Sequence, residues 1–324
     1  MKPKVYLAKV VPNEVEEYVA QHCSYQMWPV DESISREKLL TEVADVEGVL
    51  LVGHKIDQEL LDHGPSLKIV SNISVGYDNF DLKAMKERKV LGTNAPTNEL
   101  NETVADMVFG LILATARRIV ELDHFVKEGK WIRGMSYPAL FGLDVHHTTL
   151  GIIGMGQIGE AIARRAKFGF EMKVLYHNRN RKAEAEERLG AQYCSMEDLL
   201  RESDYVVVMT NLTPETRKIM GIEQFKLMKK SAIFFNASRG ETVDEEALIS
   251  ALQDKRIKGA GLDVFQKEPI DLQNPLLQMP NVVTLPHLGS NTARTRGAMG
   301  MVAAQNLVAG VTGQVPPNLV PELK

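Results

Sequence analysis

The stretch Leu150-Gly151-Ile152-Ile153-Gly154-Met155-Gly156-Gln157-Ile158-Gly159 decides the fold. Residues 150–153 form a short apolar run that predicts a buried strand, and residues 160–168 carry a helical pattern. Between them, Gly154, Gly156 and Gly159 match G-x-G-x-x-G. Gly154 permits the tight turn, Gly156 lets a pyrophosphate approach the backbone, and Gly159 lets helix and strand pack closely. With Gln157 and Ile158 they bring the unpaired N–H groups of a helix start to the phosphates. Strand, turn, helix and following strand predict a dinucleotide-binding unit. A βα turn that binds nothing, or one that holds a methyl donor, is the competing reading.

The next strand, residues 173–176, leads into His177-Asn178-Arg179-Asn180-Arg181-Lys182. An acid usually stands there to accept from the ribose hydroxyls. Here the first acid is Glu184. Asn178, Arg179 and Arg181 suit a 2′-phosphate instead, which predicts NADP(H) as the preferred cofactor and NAD(H) as the second. A solvated basic loop is the alternative.

Three later segments each end a strand. Asn236-Ala237-Ser238-Arg239-Gly240 follows residues 232–235, Asp263-Val264-Phe265-Gln266-Lys267-Glu268-Pro269 follows 259–262, and Pro286-His287-Leu288-Gly289-Ser290 follows 282–285. Ligands of open α/β sheets bind at the carboxyl ends of strands, so Arg239, Glu268 and His287 are expected to converge beside the cofactor. Singly, each has a plain structural reading as an ion pair, a loop charge or a satisfied histidine. Their order after the fingerprint favours a site.

Before Asn98 the chain makes its own series, with strands at 5–8, 48–52 and 67–70 and helices at 35–44 and 82–88. Alternating strands and helices predict an α/β protein with parallel sheets. Asn101 is the expected N-cap of a helix through Arg118, with Arg117 and Arg118 at its negative end. Residues 127–147, with Trp131, Tyr137 and Phe141, read as a surface arm, and residues 292–311 as the last helix.

A chain of 324 residues suggests two domains. Its 44% hydrophobic and 25% charged residues exclude a disordered or fibrous chain. Lys and Arg number 38 against 42 Asp and Glu, net −4, which leaves no basic field for nucleic acid or anionic lipid. The longest apolar stretch, 107–116, is too short to span a bilayer. Cys23 and Cys194 have neither metal-ligand spacing nor a disulfide framework. Lys9, Asn13 and Glu14 interrupt any signal-peptide core. A cytoplasmic protein with reduced thiols is expected, with no metal, nucleic-acid or membrane partner.

Together these residues resemble the D-isomer-specific 2-hydroxyacid dehydrogenases over nearly the whole chain. Within that family the chain is most similar to the glyoxylate/hydroxypyruvate reductases, with 2-ketogluconate reductases close by. The resemblance implies two doubly wound parallel-sheet domains. A Rossmann-type nucleotide domain, 99–289, would be inserted into a flavodoxin-like substrate domain, 1–98 and 290–324, with the substrate in a cleft between them.

The resemblance also assigns the site. Arg239, Glu268 and His287 fall on the active-site set, and Asp263 on the carboxamide anchor. Ser74-Val75-Gly76-Tyr77-Asp78 falls on the substrate-carboxylate loop, through Val75 and Gly76. Thr103, Asn211-Leu212-Thr213-Pro214, Ala237, Ser238 and Gly289 fall on cofactor contacts, and Ser290 on a substrate contact. The missing acid near Asn178 departs from the NAD-type members.

The implied reaction reduces a small 2-keto acid, of the glyoxylate/hydroxypyruvate or 2-ketogluconate type, to the D-2-hydroxy acid. Arg239 would grip carboxylate and keto oxygen, His287 would act as general acid, and Glu268 would orient His287. A homodimer is implied, in which Trp131 either reaches the neighbouring subunit's substrate cleft or packs locally. Two alternatives stand beside this. One is a dinucleotide-sensing corepressor or scaffold, which would bind cofactor without consuming it. The other is an enzyme of the phosphoglycerate dehydrogenase type.

Overall fold

The computed structural model describes residues 1–134 and 138–324. It divides into two compact units, Met1–Leu100 with Asn291–Lys324, and Asn101–Ser290. The sequence reading put the divisions at 98/99 and 289/290.

Unit 1 is built on β1 (Lys4–Leu7), β2 (Ser24–Met27), β3 (Gly48–Leu51), β4 (Ile69–Asn72) and β5 (Leu91–Thr93). All are parallel, in the order β2-β1-β3-β4-β5, the flavodoxin-like order. β3 and β4 are buried at every residue, as parallel strands covered on both faces are.

The chain returns to this sheet through the helix Ala293–Val311, whose N-cap Thr292 accepts from the Thr295 N–H. Two contacts fix its direction. At Gly310 the backbone is so close to β4 that a Cβ would meet Ile69 Cδ1 at 2.5 Å. Nearer the helix start, Ser71 Oγ donates to the Ala303 carbonyl at 2.7 Å and accepts from Thr93 Oγ1 at 3.0 Å. The helix therefore runs antiparallel to β4.

Unit 2 carries β6 (Thr149–Ile153), β7 (Lys173–His177), β8 (Gln192–Tyr193), β9 (Tyr205–Val208), β10 (Ile233–Asn236), β11 (Gly259–Leu262) and β12 (Val282–Thr284). The order is β12-β11-β10-β9-β6-β7-β8, all parallel. Strand order reverses between β6 and β9, the switch point at which Rossmann sheets hold dinucleotides.

The helix Asn98–Ala116 corrects one expectation. Thr97 Oγ1 accepts from the Leu100 N–H at 3.1 Å, so capping falls at Thr97 and not at Asn101. The Asn101 amide instead donates to Gln157 Oε1 at 3.2 Å. Arg117 and Arg118 lie past the helix end. Arg118, at φ 57°, turns the chain into a second helix, Ile119–Lys127. Beyond it, Trp131 and Phe141 are 64% and 69% exposed, and Tyr137 lies outside the described residues.

Ser71→Ala strips the buried Thr93 hydroxyl and the Ala303 carbonyl of their shared partner. The variant should lose about 1–3 kcal/mol of stability in urea unfolding; an unchanged midpoint would contradict this tie between β4 and the last helix.

Candidate active site

At the end of β6 the fingerprint closes as a turn. Gly154 has φ 106°, and a Cβ there would meet the Met209 carbonyl carbon, just past β9, at 2.6 Å. A Cβ on Gly159 would strike the Gly154 oxygen at 2.4 Å. Gly156 is the N-cap of the helix Gln157–Phe170 and offers no side-chain cap, and no atom lies within 4 Å of where its Cβ would stand. Open space before uncapped N–H groups fits a dinucleotide pyrophosphate. The helix begins at Gln157, so Gln157 and Ile158 belong to its first turn.

Asn178 braces this turn. Its Oδ1 accepts from the Met155 N–H at 2.6 Å, and its amide donates to the Met155 carbonyl at 3.3 Å. The two arginines that follow differ. Arg181 is committed to Glu186 through bonds of 2.7 and 2.6 Å, and Tyr176 Oη donates to the same carboxylate at 2.6 Å. Hydrogen bonds from Arg181, then Tyr176, bring the Glu186 carboxyl down to about 2. Burial, with Glu186, pushes the Tyr176 hydroxyl up to about 12. Arg179 is exposed and has no hydrogen-bond or ion-pair partner among the described residues.

At the ends of β10, β11 and β12 the remaining residues interlock. Asp263 is 2% exposed. Its carbonyl accepts from the His287 N–H at 2.8 Å, and its carboxylate from the N–H groups of Leu288 (2.8 Å) and Gly289 (2.9 Å). Burial raises the Asp263 carboxyl, and those two N–H groups pull it back. The clasp holds His287 at φ 56°, a left-handed conformation uncommon away from glycine.

Glu268 Oε2 meets His287 Nδ1 at 2.7 Å, while Glu268 Oε1 accepts from the Phe265 N–H at 3.0 Å. Burial raises the Glu268 carboxyl, but bonds from His287 and Phe265, with the nearby His287 and Arg239 charges, bring it below the usual range. Asn236 fixes the third corner. Its amide donates to the Arg239 carbonyl at 2.9 Å, and its Oδ1 accepts from the Ser238 N–H and hydroxyl. Arg239 Nη1 donates to the Ser238 carbonyl at 2.9 Å.

The other expected contacts fall on the same unit. Asn211, Leu212 and Thr213 form the loop after β9, closed by Thr216 Oγ1, which donates to the Asn211 carbonyl at 2.6 Å and accepts from the Thr213 N–H at 2.8 Å. Ala237 follows β10, Gly289 is buried, and Ser290 ends the unit. Thr103 lies on the helix Asn98–Ala116. Val75 and Gly76 belong to unit 1, after β4. The Val75 carbonyl accepts from Asn94 Nδ2 at 2.8 Å, and the Gly76 carbonyl from Asn72 Nδ2 at 3.1 Å and from Ser74 Oγ. Their N–H groups have no acceptor among the described residues.

Residues 109–289 match the model of the D-isomer specific 2-hydroxyacid dehydrogenase NAD binding domain. The chain is 48% identical to glyoxylate/hydroxypyruvate reductase B of Escherichia fergusonii over 320 residues, 99% of this chain and 98% of that one. The chain belongs to the D-isomer specific 2-hydroxyacid dehydrogenase family. It is an NAD(P)-dependent oxidoreductase.

Solved structures similar to this dehydrogenase include the TT0316 protein of Thermus thermophilus, with TM-score 0.89, 37% identity, and 98% and 99% of the two chains covered. Another is an NADPH-dependent glyoxylate/hydroxypyruvate reductase of Sinorhizobium meliloti, in complex with NADP and malonate. Its TM-score is 0.86 at 32% identity, with 100% of this chain and 98% of that one covered. Among the described residues of the dehydrogenase, no helix is long and apolar enough to cross a membrane.

Proposed function

We propose that the dehydrogenase is a cytoplasmic reductase of small 2-keto acids of the glyoxylate/hydroxypyruvate type, with 2-ketogluconate the alternative substrate, and that it prefers NADPH. The observation that carries this reading is the 2.7 Å pair of His287 Nδ1 and Glu268 at the ends of β12 and β11, with Arg239 at the end of β10, the next strand. The names of the E. fergusonii and S. meliloti relatives support the substrate class.

An ionised carboxylate only accepts, so Glu268 holds one proton of the imidazolium on Nδ1 and leaves the second, on Nε2, to face the substrate. A nicotinamide cofactor held at the turn of Gly154, Gly156 and Gly159 would supply the hydride for the keto carbon. His287 donates the Nε2 proton to the forming alkoxide, and the charge it loses was held by Glu268. Arg239 holds the carboxylate and keto oxygen with its planar fork. Within unit 1, the unclaimed N–H groups of Val75 and Gly76 suit a carboxylate oxygen, because the carbonyls beside them are already tied to Asn94, Asn72 and Ser74. Asp263 and Ser290 serve as cofactor-side and substrate-side contacts. His287→Ala should lower kcat by about 10²–10⁴-fold while NADPH binding, read by fluorescence titration, persists. Near-normal turnover in that variant refutes the assignment.

The NADPH preference rests on Arg179. Arg181 is balanced by Glu186, so Arg179, nearer the strand end than Lys182, is the cation best placed to meet a 2′-phosphate. A bond to a charged group contributes roughly 1.5–3 kcal/mol, on the order of 10–100-fold in affinity. Arg179→Ala should raise the KM for NADPH by that order and leave the KM for NADH nearly unchanged. Equal weakening of both returns the basic run to a solvated loop.

The dehydrogenase is further proposed to be a homodimer. Ile119, Val120 and Val126 on the helix Ile119–Lys127, with Trp131, Ile132 and Phe141 after it, are all exposed, a concentration of apolar groups that a second copy would cover. Sedimentation should give twice the chain mass at micromolar concentration; a monomer there rules out the dimer and any shared role for Trp131.

A further inference from the structure

Two arginines occupy the first turn of the helix Ala293–Val311, where the helix dipole disfavours cations. Arg294 is 85% exposed and has Glu99 at 3.7 Å. Arg296 is half-buried, and among the described residues no oxygen accepts from it. The Glu14 carboxylate lies by the next residue, where a Cβ on Gly297 would meet Oε1 at 3.4 Å, yet forms no pair with Arg296. Burial alone lowers the Arg296 pKa. A partly desolvated, unpaired cation costs stability, and nothing within unit 1 repays that cost.

Its place in the sheet gives it a use. The helix is antiparallel to β4, with Ala303 opposite Ser71. Seven residues back toward the helix start is roughly 10 Å, and three residues of extended chain beyond Ser71 span about the same. Arg296 therefore comes level with the segment that begins at Ser74. Within unit 1, Arg296 and the unclaimed N–H groups of Val75 and Gly76 therefore stand at the carboxyl end of one strand.

We propose that Arg296 is a specificity-determining residue that receives an oxygen substituent on C3 of the 2-keto acid. The inference rests on the reading that the Val75–Gly76 loop holds the substrate carboxylate. Hydroxypyruvate carries such an oxygen. Pyruvate has the same skeleton without it, and glyoxylate has no C3. A guanidinium donates to a hydroxyl or a carboxylate through several N–H groups, so the chemistry selected is an acceptor oxygen on the third carbon.

The test compares wild type with Arg296→Met and Arg296→Lys on hydroxypyruvate, pyruvate and glyoxylate, with melting temperatures taken alongside. In Arg296→Met, kcat/KM for hydroxypyruvate should fall by about 10–100-fold, mainly through KM, with a change under about threefold for the other two. Arg296→Lys should recover part of the loss. The melting temperature should not fall, because an unpaired charge has been removed. An equal fall on all three substrates, an unchanged hydroxypyruvate reaction, or a lower melting temperature with no selectivity change overturns the assignment. A wild type that reduces none of the three with either cofactor overturns the functional reading beneath it.

Discussion

The buried carboxylate of Asp263 organises the chemistry of unit 2. It accepts the N–H groups of Leu288 and Gly289 while its carbonyl accepts that of His287. A left-handed conformation costs a non-glycine residue about 1–2 kcal/mol. Each bond to a charged acceptor contributes roughly 1.5–3 kcal/mol, set against that strain and against the burial of the carboxylate. The clasp joins β11 to the turn after β12, and that turn carries the ring which Glu268 holds by its Nδ1. Without it, His287 would relax toward an ordinary backbone conformation and the pair with Glu268 would have no fixed geometry.

The two units apply one rule to different tasks. In each, the central strands of a parallel sheet are buried on both faces, so chemistry emerges from loops at strand ends. In unit 2 the switch point between β6 and β9 leaves room for a dinucleotide, and the strands beyond it carry Arg239, Glu268 and His287. In unit 1 the loop after β4 has its carbonyls tied inward by asparagine side chains. Its N–H groups are thereby left without an acceptor among the described residues.

The central strands were legible because burial on both faces demands continuous apolar runs, as in Leu150-Gly151-Ile152-Ile153 and Ile233-Phe234-Phe235. The strands that escaped notice were β2, whose Ser24-Tyr25-Gln26-Met27 is an edge sequence of mixed polarity, the two-residue β8, and the glycine-containing β5. The cap at Thr97 was missed because Asn101 has equal capping chemistry, and its engagement with Gln157 is a tertiary fact. Arg179 and Arg181 look alike in sequence. Only the helix Ala183–Leu189 brings Glu186 round to neutralise one of them. Arg296 gave one local signal, a cation in the wrong turn of a helix, which matters only once the absence of a partner is seen.

The clasp is tested most directly by a crystal structure of Asp263→Ala. With the carboxylate gone, His287 should leave the left-handed region and its Nδ1 should move beyond hydrogen-bond distance of Glu268. If φ of His287 stays near 56° and the contact stays at 2.7 Å, the turn holds itself, and Asp263 does not organise the site.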